Sequence, residues 1–135
     1  MSRLAFFSIL GILTLAACSS GDSSNGTTTG ASGPTITISN FTFTPDNLVV
    51  AAGSTVTVMN TDTTTVHTAT SEAAAGLYVK AAADGGFLFD TNNIPTSGSA
   101  TFTVPAGLPS GLVLPYFCEQ HTSMMTNANP TIQIK

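Results

Sequence analysis

From Thr35 to the end of the chain, apolar positions recur at every second residue nearly throughout. Ile36 and Ile38 alternate with threonine and serine, Phe41 and Phe43 with threonines, and Leu48 and Val50 follow Pro45-Asp46. Ala52-Gly53 is a turn signal, after which Thr55-Val56-Thr57-Val58-Met59 alternates again. Phe87-Leu88-Phe89, Ala100 to Val104, Leu112 to Cys118 and Thr131 to Ile134 follow. Gly53, Asp62, Gly85-Gly86, Pro95, Gly98, Gly107, Pro109 and Gly111 punctuate the runs. Successive side chains on a strand face opposite ways, so this period places Val, Ile and Phe inward and threonine toward water. Short strands with regular turn signals predict an all-β chain, an antiparallel β-sandwich or barrel. Ser71 to Ala83, SEAAAGLYVKAAA, departs from the pattern. Its alanines predict an irregular crossing with one short helix, and Gly76, Tyr78 and Val79 oppose a long one.

The beginning of the chain obeys another pattern. Arg3 precedes an apolar run from Leu4 to Ala17, shorter than the roughly 20 residues of a membrane span and suited to the core of a secretory signal. Leu15-Ala16-Ala17-Cys18 resembles the lipobox of bacterial lipoproteins. That resemblance implies cleavage before Cys18 and lipidation of its thiol. Residues 18–34 are dominated by Ser, Gly and Thr and hold no bulky apolar side chain, so they read as a flexible tether. Residues 1–17 are therefore expected to be a lipoprotein signal peptide, 18–34 a tether, and 35–135 one small domain with room for one core. No other apolar stretch is long enough to span a membrane, which leaves the lipid as the expected anchor.

The chain carries three basic residues against seven acidic ones, a formal net charge of −4. Loss of the signal removes Arg3 and leaves Lys80 and Lys135. With no basic patch, nucleic acid is excluded as an expected partner. The acids are scattered, a distribution that serves solubility.

The scarce soft side chains gather in PYFCEQHTSMM, residues 115 to 125. If Cys18 is lipidated, Cys118 has no disulfide partner, and a free thiol in an oxidising compartment has to be buried or bound. His121 follows Cys118 after two residues, and Met124 follows His121 after two more, with Met125 adjacent. The chain's other histidine is His67, beyond the run ending at Met59 and the polar turn NTDTTT. Two imidazoles, a thiolate and a weak thioether together match a blue-copper electron-transfer site. Other readings of these residues are a buried structural cysteine with a surface histidine, a zinc site of two His and one Cys that would keep a water, and a Cys-His nucleophile pair, which would need an orienting Asn or Asp. The methionine and the second histidine favour copper, and a ligand set with no place for substrate points away from an enzyme.

Residues 35 to 135 resemble the cupredoxins, the plastocyanin-, pseudoazurin- and amicyanin-like blue copper proteins. The likeness lies in Asn40 to Pro45, in Leu48 to Val58, in Asn60-Thr61-Asp62 leading to His67-Thr68, and above all in Pro115-Tyr116-Phe117-Cys118 with His121 and Met124. It implies a Greek-key β-sandwich of about eight strands with one copper ion under the loops at one end. It also implies Nδ1 of His67 and His121 as the nitrogen donors, with His121 as the port for electrons. Its shorter loop pattern, CxxHxxM, selects Met124 as axial ligand and leaves Met125 to packing, although the glycine or proline common around that methionine is missing here. Thr68 is expected to steady the ligand loop by hydrogen bonding. The expected function is one-electron transfer in the bacterial cell envelope by a lipid-anchored monomer, periplasmic or on the cell surface, with redox proteins as partners. A module that stores, delivers or senses copper is the second reading, and a metal-free envelope scaffold the third.

Overall fold

The structure is a computed structural model that describes residues 33–82, 89–125 and 129–135. The expected signal peptide, Cys18, nearly all of the tether, Ala83 and Phe87-Leu88 lie outside the described residues. Within them the chain forms β1 (Thr35–Ser39), β2 (Thr42–Thr44), β3 (Asn47–Val50), β4 (Thr55–Asn60), β5 (Thr70–Ser71), β6 (Ser99–Thr103), β7 (Val113–Phe117) and β8 (Thr131–Ile134). These strands build two four-stranded sheets, ordered β2-β1-β4-β6 and β3-β8-β7-β5. The chain changes sheet between β2 and β3, β3 and β4, β4 and β5, β5 and β6, and β6 and β7, so a β-sandwich results. Two seams are parallel, β1 with β4 and β3 with β8, and the other neighbours are antiparallel. No tight hairpin can join parallel neighbours; here the connection between β1 and β4 passes through the opposite sheet.

The period-two pattern is realised as burial. Ile36 and Ile38 of β1, Val56 and Val58 of β4 and Ile132 of β8 are fully buried, while the threonines between them face outward. Each such side chain contributes about 1.5–3 kcal/mol by leaving water. Aromatic rings fill the space between the sheets: Phe89 stacks on Phe102 at 4.0 Å, and Phe43 meets Tyr116 edge-on at 4.9 Å. Burial, with the charge of Asp46 acting the same way, pushes the Tyr116 phenol far above its usual range.

Two local expectations are corrected. Phe41 does not continue the alternation into β2. Asn40 and Phe41 form the turn between β1 and β2 with positive φ of 48° and 58°, so Phe43 enters the core while Phe41 leaves the strand register. Ser71 to Ala82 forms no helix. Glu72 and Lys80 pair as an antiparallel bridge, Ala73 N–H donates to Val79 O at 2.8 Å, and Leu77 N–H donates to Ala74 O at 3.1 Å. The result is a hairpin-like lap beside β5. Gly76 and Tyr78 sit at φ of 81° and 53°, which no helix accommodates, and the Glu72 carboxylate caps the Tyr78 amide. The helical preference of the alanines is too small to resist these contacts.

Candidate metal centre

Cys118 directly follows β7, a strand held on one side by β8 and on the other by β5. Both neighbours fix the strand end, and the Cys118 side chain is 1% exposed. His67 arrives on the segment between β4 and β5. There its backbone pairs with Ile94, donating to Ile94 O at 3.2 Å and accepting from Ile94 N–H at 2.7 Å. His121 stands on a tight turn that begins at Cys118, its N–H 3.3 Å from Cys118 O. From separations of 51 and 3 positions, the three side chains meet: Cys118 Sγ lies 3.8 Å from His67 Nδ1 and 3.5 Å from His121 Nδ1. All three donor atoms fall within 4.8 Å of one another. Metal–nitrogen and metal–thiolate bonds run about 2.0–2.3 Å, so one ion can touch all three donors.

Thr68 fastens the two ligand-bearing segments together. Its N–H points at Cys118 Sγ at 3.3 Å, and its Oγ1 accepts the Glu119 N–H at 2.9 Å. Behind it the Thr70 hydroxyl lies 3.1 Å from Thr68 Oγ1 and 3.2 Å from Asp90 Oδ1, and Asp90 pairs with Lys80 on the lap.

His67 is completely buried, and its outer nitrogen Nε2 meets Asp62 Oδ2 at 2.8 Å. The same carboxylate accepts the Asn40 N–H at 2.7 Å and the Phe41 N–H at 3.4 Å. Partial burial pushes the Asp62 carboxyl up, but the Asn40 amide, His67 and the Phe41 amide together hold it below its ordinary 3.8. An ionised carboxylate only accepts hydrogen bonds, so Nε2 carries a proton in that contact, and Nδ1 is the nitrogen that faces Cys118. Phe41, whose left-handed backbone costs about 1–3 kcal/mol, lays its ring edge-on against both histidines, 5.4 Å from His67 and 5.0 Å from His121. Burial lowers the His121 imidazole from its ordinary 6.5, His67 acts the same way, and Asp62 opposes them.

The methionine expectation is corrected. Met124 is 59% exposed, whereas Met125 is 2% exposed and belongs to the same buried cluster as Cys118. Both methionine amides donate to His121 O, Met124 at 3.0 Å and Met125 at 2.9 Å. The second contact closes a helical turn from His121 to Met125. The inward place goes to Met125. The structure thus assembles His67, Cys118 and His121 with Thr68 beside them and leaves Met124 in solvent.

Asp62 and Phe41 had escaped the sequence reading. Asp62 read as a turn former and Phe41 as an inward strand residue. Asp62 lies five positions before His67 across an irregular loop, where no period foretells contact.

No family model matches the chain, and no curated protein does. Solved structures do. An oxidised amicyanin with one methionine replaced by leucine aligns over 76% of this chain and 82% of its own, with 14% identity and a TM-score of 0.54. A novel purple cupredoxin from Nitrosopumilus maritimus aligns over 76% of this chain and 99% of its own, with 20% identity and a TM-score of 0.53. A second oxidised amicyanin, with one proline replaced by glycine, aligns over 79% of this chain and 86% of its own, with 16% identity and a TM-score of 0.55. At such identities the likeness establishes the fold: the sandwich is cupredoxin-like.

Proposed function

We propose that the domain holds a single copper ion on His67 Nδ1, Cys118 Sγ, His121 Nδ1 and the Met125 thioether, and serves as a one-electron carrier rather than an enzyme. The observation that carries this reading is the buried thiol set 3.5 and 3.8 Å from two imidazole nitrogens on a cupredoxin-like sandwich. The donors discriminate among metals. Zinc gains little from a thioether, whereas thiolate and thioether suit Cu(I) and imidazole suits both copper oxidation states. Copper bound here would supply a reversible one-electron couple.

The chain's own residues do the rest. The Thr68 N–H supports the Cys118 thiolate by donating to it. Two rigid sheets hold the donors in one arrangement, which keeps reorganisation small when the electron moves. Burial of His67 and Cys118 excludes water from the inner side. His121, partly exposed, offers the edge through which an electron passes to a redox partner protein.

The same reading puts the domain in the cell envelope as a monomer, tethered by lipid on Cys18. Among the described residues no helix is long and apolar enough to cross a membrane.

The deciding experiment is the visible and electron-spin spectrum of the Cu(II)-loaded domain. The expected result is one copper per chain with an intense thiolate-to-copper band, lost in Cys118→Ala. A colourless loaded domain refutes the reading. A protein that binds copper tightly but exchanges electrons slowly, and readily passes the ion to an acceptor protein, is a copper-handling module instead.

A further inference from the structure

We propose that Asp62 is the positioning residue of this centre, one carboxylate that fixes both the tautomer of His67 and the turn bearing Phe41 before any metal arrives. The consequences for copper rest on the reading above; the positioning itself does not.

Three donors converge on the two Asp62 oxygens: Asn40 N–H on Oδ1 at 2.7 Å, and His67 Nε2 at 2.8 Å with Phe41 N–H at 3.4 Å on Oδ2. Only a carboxylate presents acceptors on both sides. The carboxylate is itself aimed, because Asp62 N–H donates to Asn60 Oδ1 at 3.0 Å. The buried Asn60 amide in turn spends its protons on the carbonyls of Thr65, Ile94 and Pro95 at 2.8, 3.2 and 3.1 Å. This places a rigid polar post at the end of β4, built on the core strand.

Two features at the far side of the post need it. Asn40 and Phe41 occupy the left-handed region in succession, φ 48° and 58°, a conformation that persists only where the surroundings impose it. The two-residue hairpin between paired Ser39 and Thr42 demands it, and the carboxylate that takes both amides ties that turn to His67. The reward is the placement of the Phe41 ring, edge-on to His67 and His121 at once. On the other side, His67 with its proton pinned at Nε2 can present only the Nδ1 lone pair toward Cys118. Clamp, ring and ligand are thus one unit: moving the turn moves the wall against which both imidazoles rest.

The substitution Asp62→Asn isolates the claim. Asparagine keeps the shape but has one oxygen, so it can serve His67 or the Asn40 amide and presents an N–H₂ group to the other. The test begins with the metal-free wild-type domain, by nitrogen NMR of the histidine rings above the ordinary histidine titration range and by amide hydrogen exchange. The expected result is His67 as the Nε2–H tautomer, with slow exchange at that proton and at the Asn40 and Phe41 amides. In D62N the expected result is a tautomer mixture or about tenfold faster exchange at those two amides, the scale of one lost hydrogen bond. The Nδ1–H tautomer in the wild type overturns the proposal, and this measurement needs no variant to fold. A D62N protein of lowered melting temperature but unchanged His67 tautomer and unchanged local exchange overturns it too, because Asp62 would then be structural only.

With copper bound, loss of such an outer partner costs about 10–100-fold in metal affinity. Removing a negative charge beside a ligand weakens Cu(II) more than Cu(I), so the potential should rise, by about 59 mV for each tenfold difference. A domain that passes the metal-free tests yet never turns coloured with copper would refute the copper reading and leave the clamp standing.

Discussion

At the scale of single residues, the neighbouring methionines offer a clean division. Met125 is buried in the cluster that contains Cys118, and Met124 stands in solvent. Leucine matches methionine in volume, and such exchanges in a packed site cost under about 1.5 kcal/mol. Met125→Leu should therefore fold, bind copper, and shift both the visible spectrum and the redox potential, because it removes the thioether and little else. Met124→Leu should leave both unchanged within error. Spectra and voltammetry of the pair decide the matter; a silent M125L with a shifted M124L would restore the assignment that spacing favoured. The sequence places the two side by side with equal chemistry. Burial of Met125 in the core cluster, with Met124 left in solvent, is what sorts them.

At the scale of elements, the lap after β5 is tied to the ligand segments through polar contacts. Lys80 pairs with Asp90, Asp90 Oδ1 accepts from Asn92 N–H at 2.8 Å, and Thr70 joins Asp90 to Thr68. Burial pushes the Asp90 carboxyl up, but Lys80 and the Asn92 amide outweigh it and hold it below the ordinary 3.8. The sign follows from linkage. A carboxyl whose folded value is depressed adds stability that is complete above its unfolded value and disappears as pH falls through the folded one. Asp90→Asn should thus cost about 0.5–1.5 kcal/mol near neutral pH, at the low end because solvent screens the pair. Its melting temperature should also depend less on pH below about 4 than that of the wild type. Thermal unfolding of both proteins across acidic pH checks this, and parallel curves would show that Asp90 contributes nothing to acid sensitivity. The alternating strands were legible in sequence because their period is set by the backbone itself. The lap was not, since alanines permit a helix and the opposing contacts, Glu72 with Tyr78 and Lys80 with Asp90, join residues six and ten positions apart.

At the scale of the whole molecule, the expected organisation is a folded domain on a leash. The sandwich runs from Thr35 to Ile134, and the expected attachment point, Cys18, precedes it by a tract of serine, glycine and threonine. The expected anchor and tether would let the domain turn and travel while remaining near the membrane. Two or three acyl chains hold a protein stably where one holds it marginally. Cys18→Ser should consequently release the protein from the membrane fraction without altering the spectrum of its copper-loaded domain. Fractionation of cells expressing each form tests this, and an unchanged membrane share would refute lipidation at Cys18. Once Arg3 leaves with the signal, two basic residues stand against seven acidic ones, a net negative charge that disfavours self-association.

His67, Cys118 and His121 show how far the one-dimensional record reaches. Their scarcity, the CxxH spacing and the period-two strands were enough to single out these three residues as candidate ligands and to predict a β-sandwich or barrel, because ligand chemistry depends on residue type and strand patterning on local sterics. The partners of those ligands were decided elsewhere. Asp62 under His67, Phe41 against both imidazoles, Met125 turned inward and the two parallel seams all depend on which distant backbones come to lie side by side. That outcome is set by the packing of two sheets and by the conformations that packing imposes on the turns, and no local period encodes it.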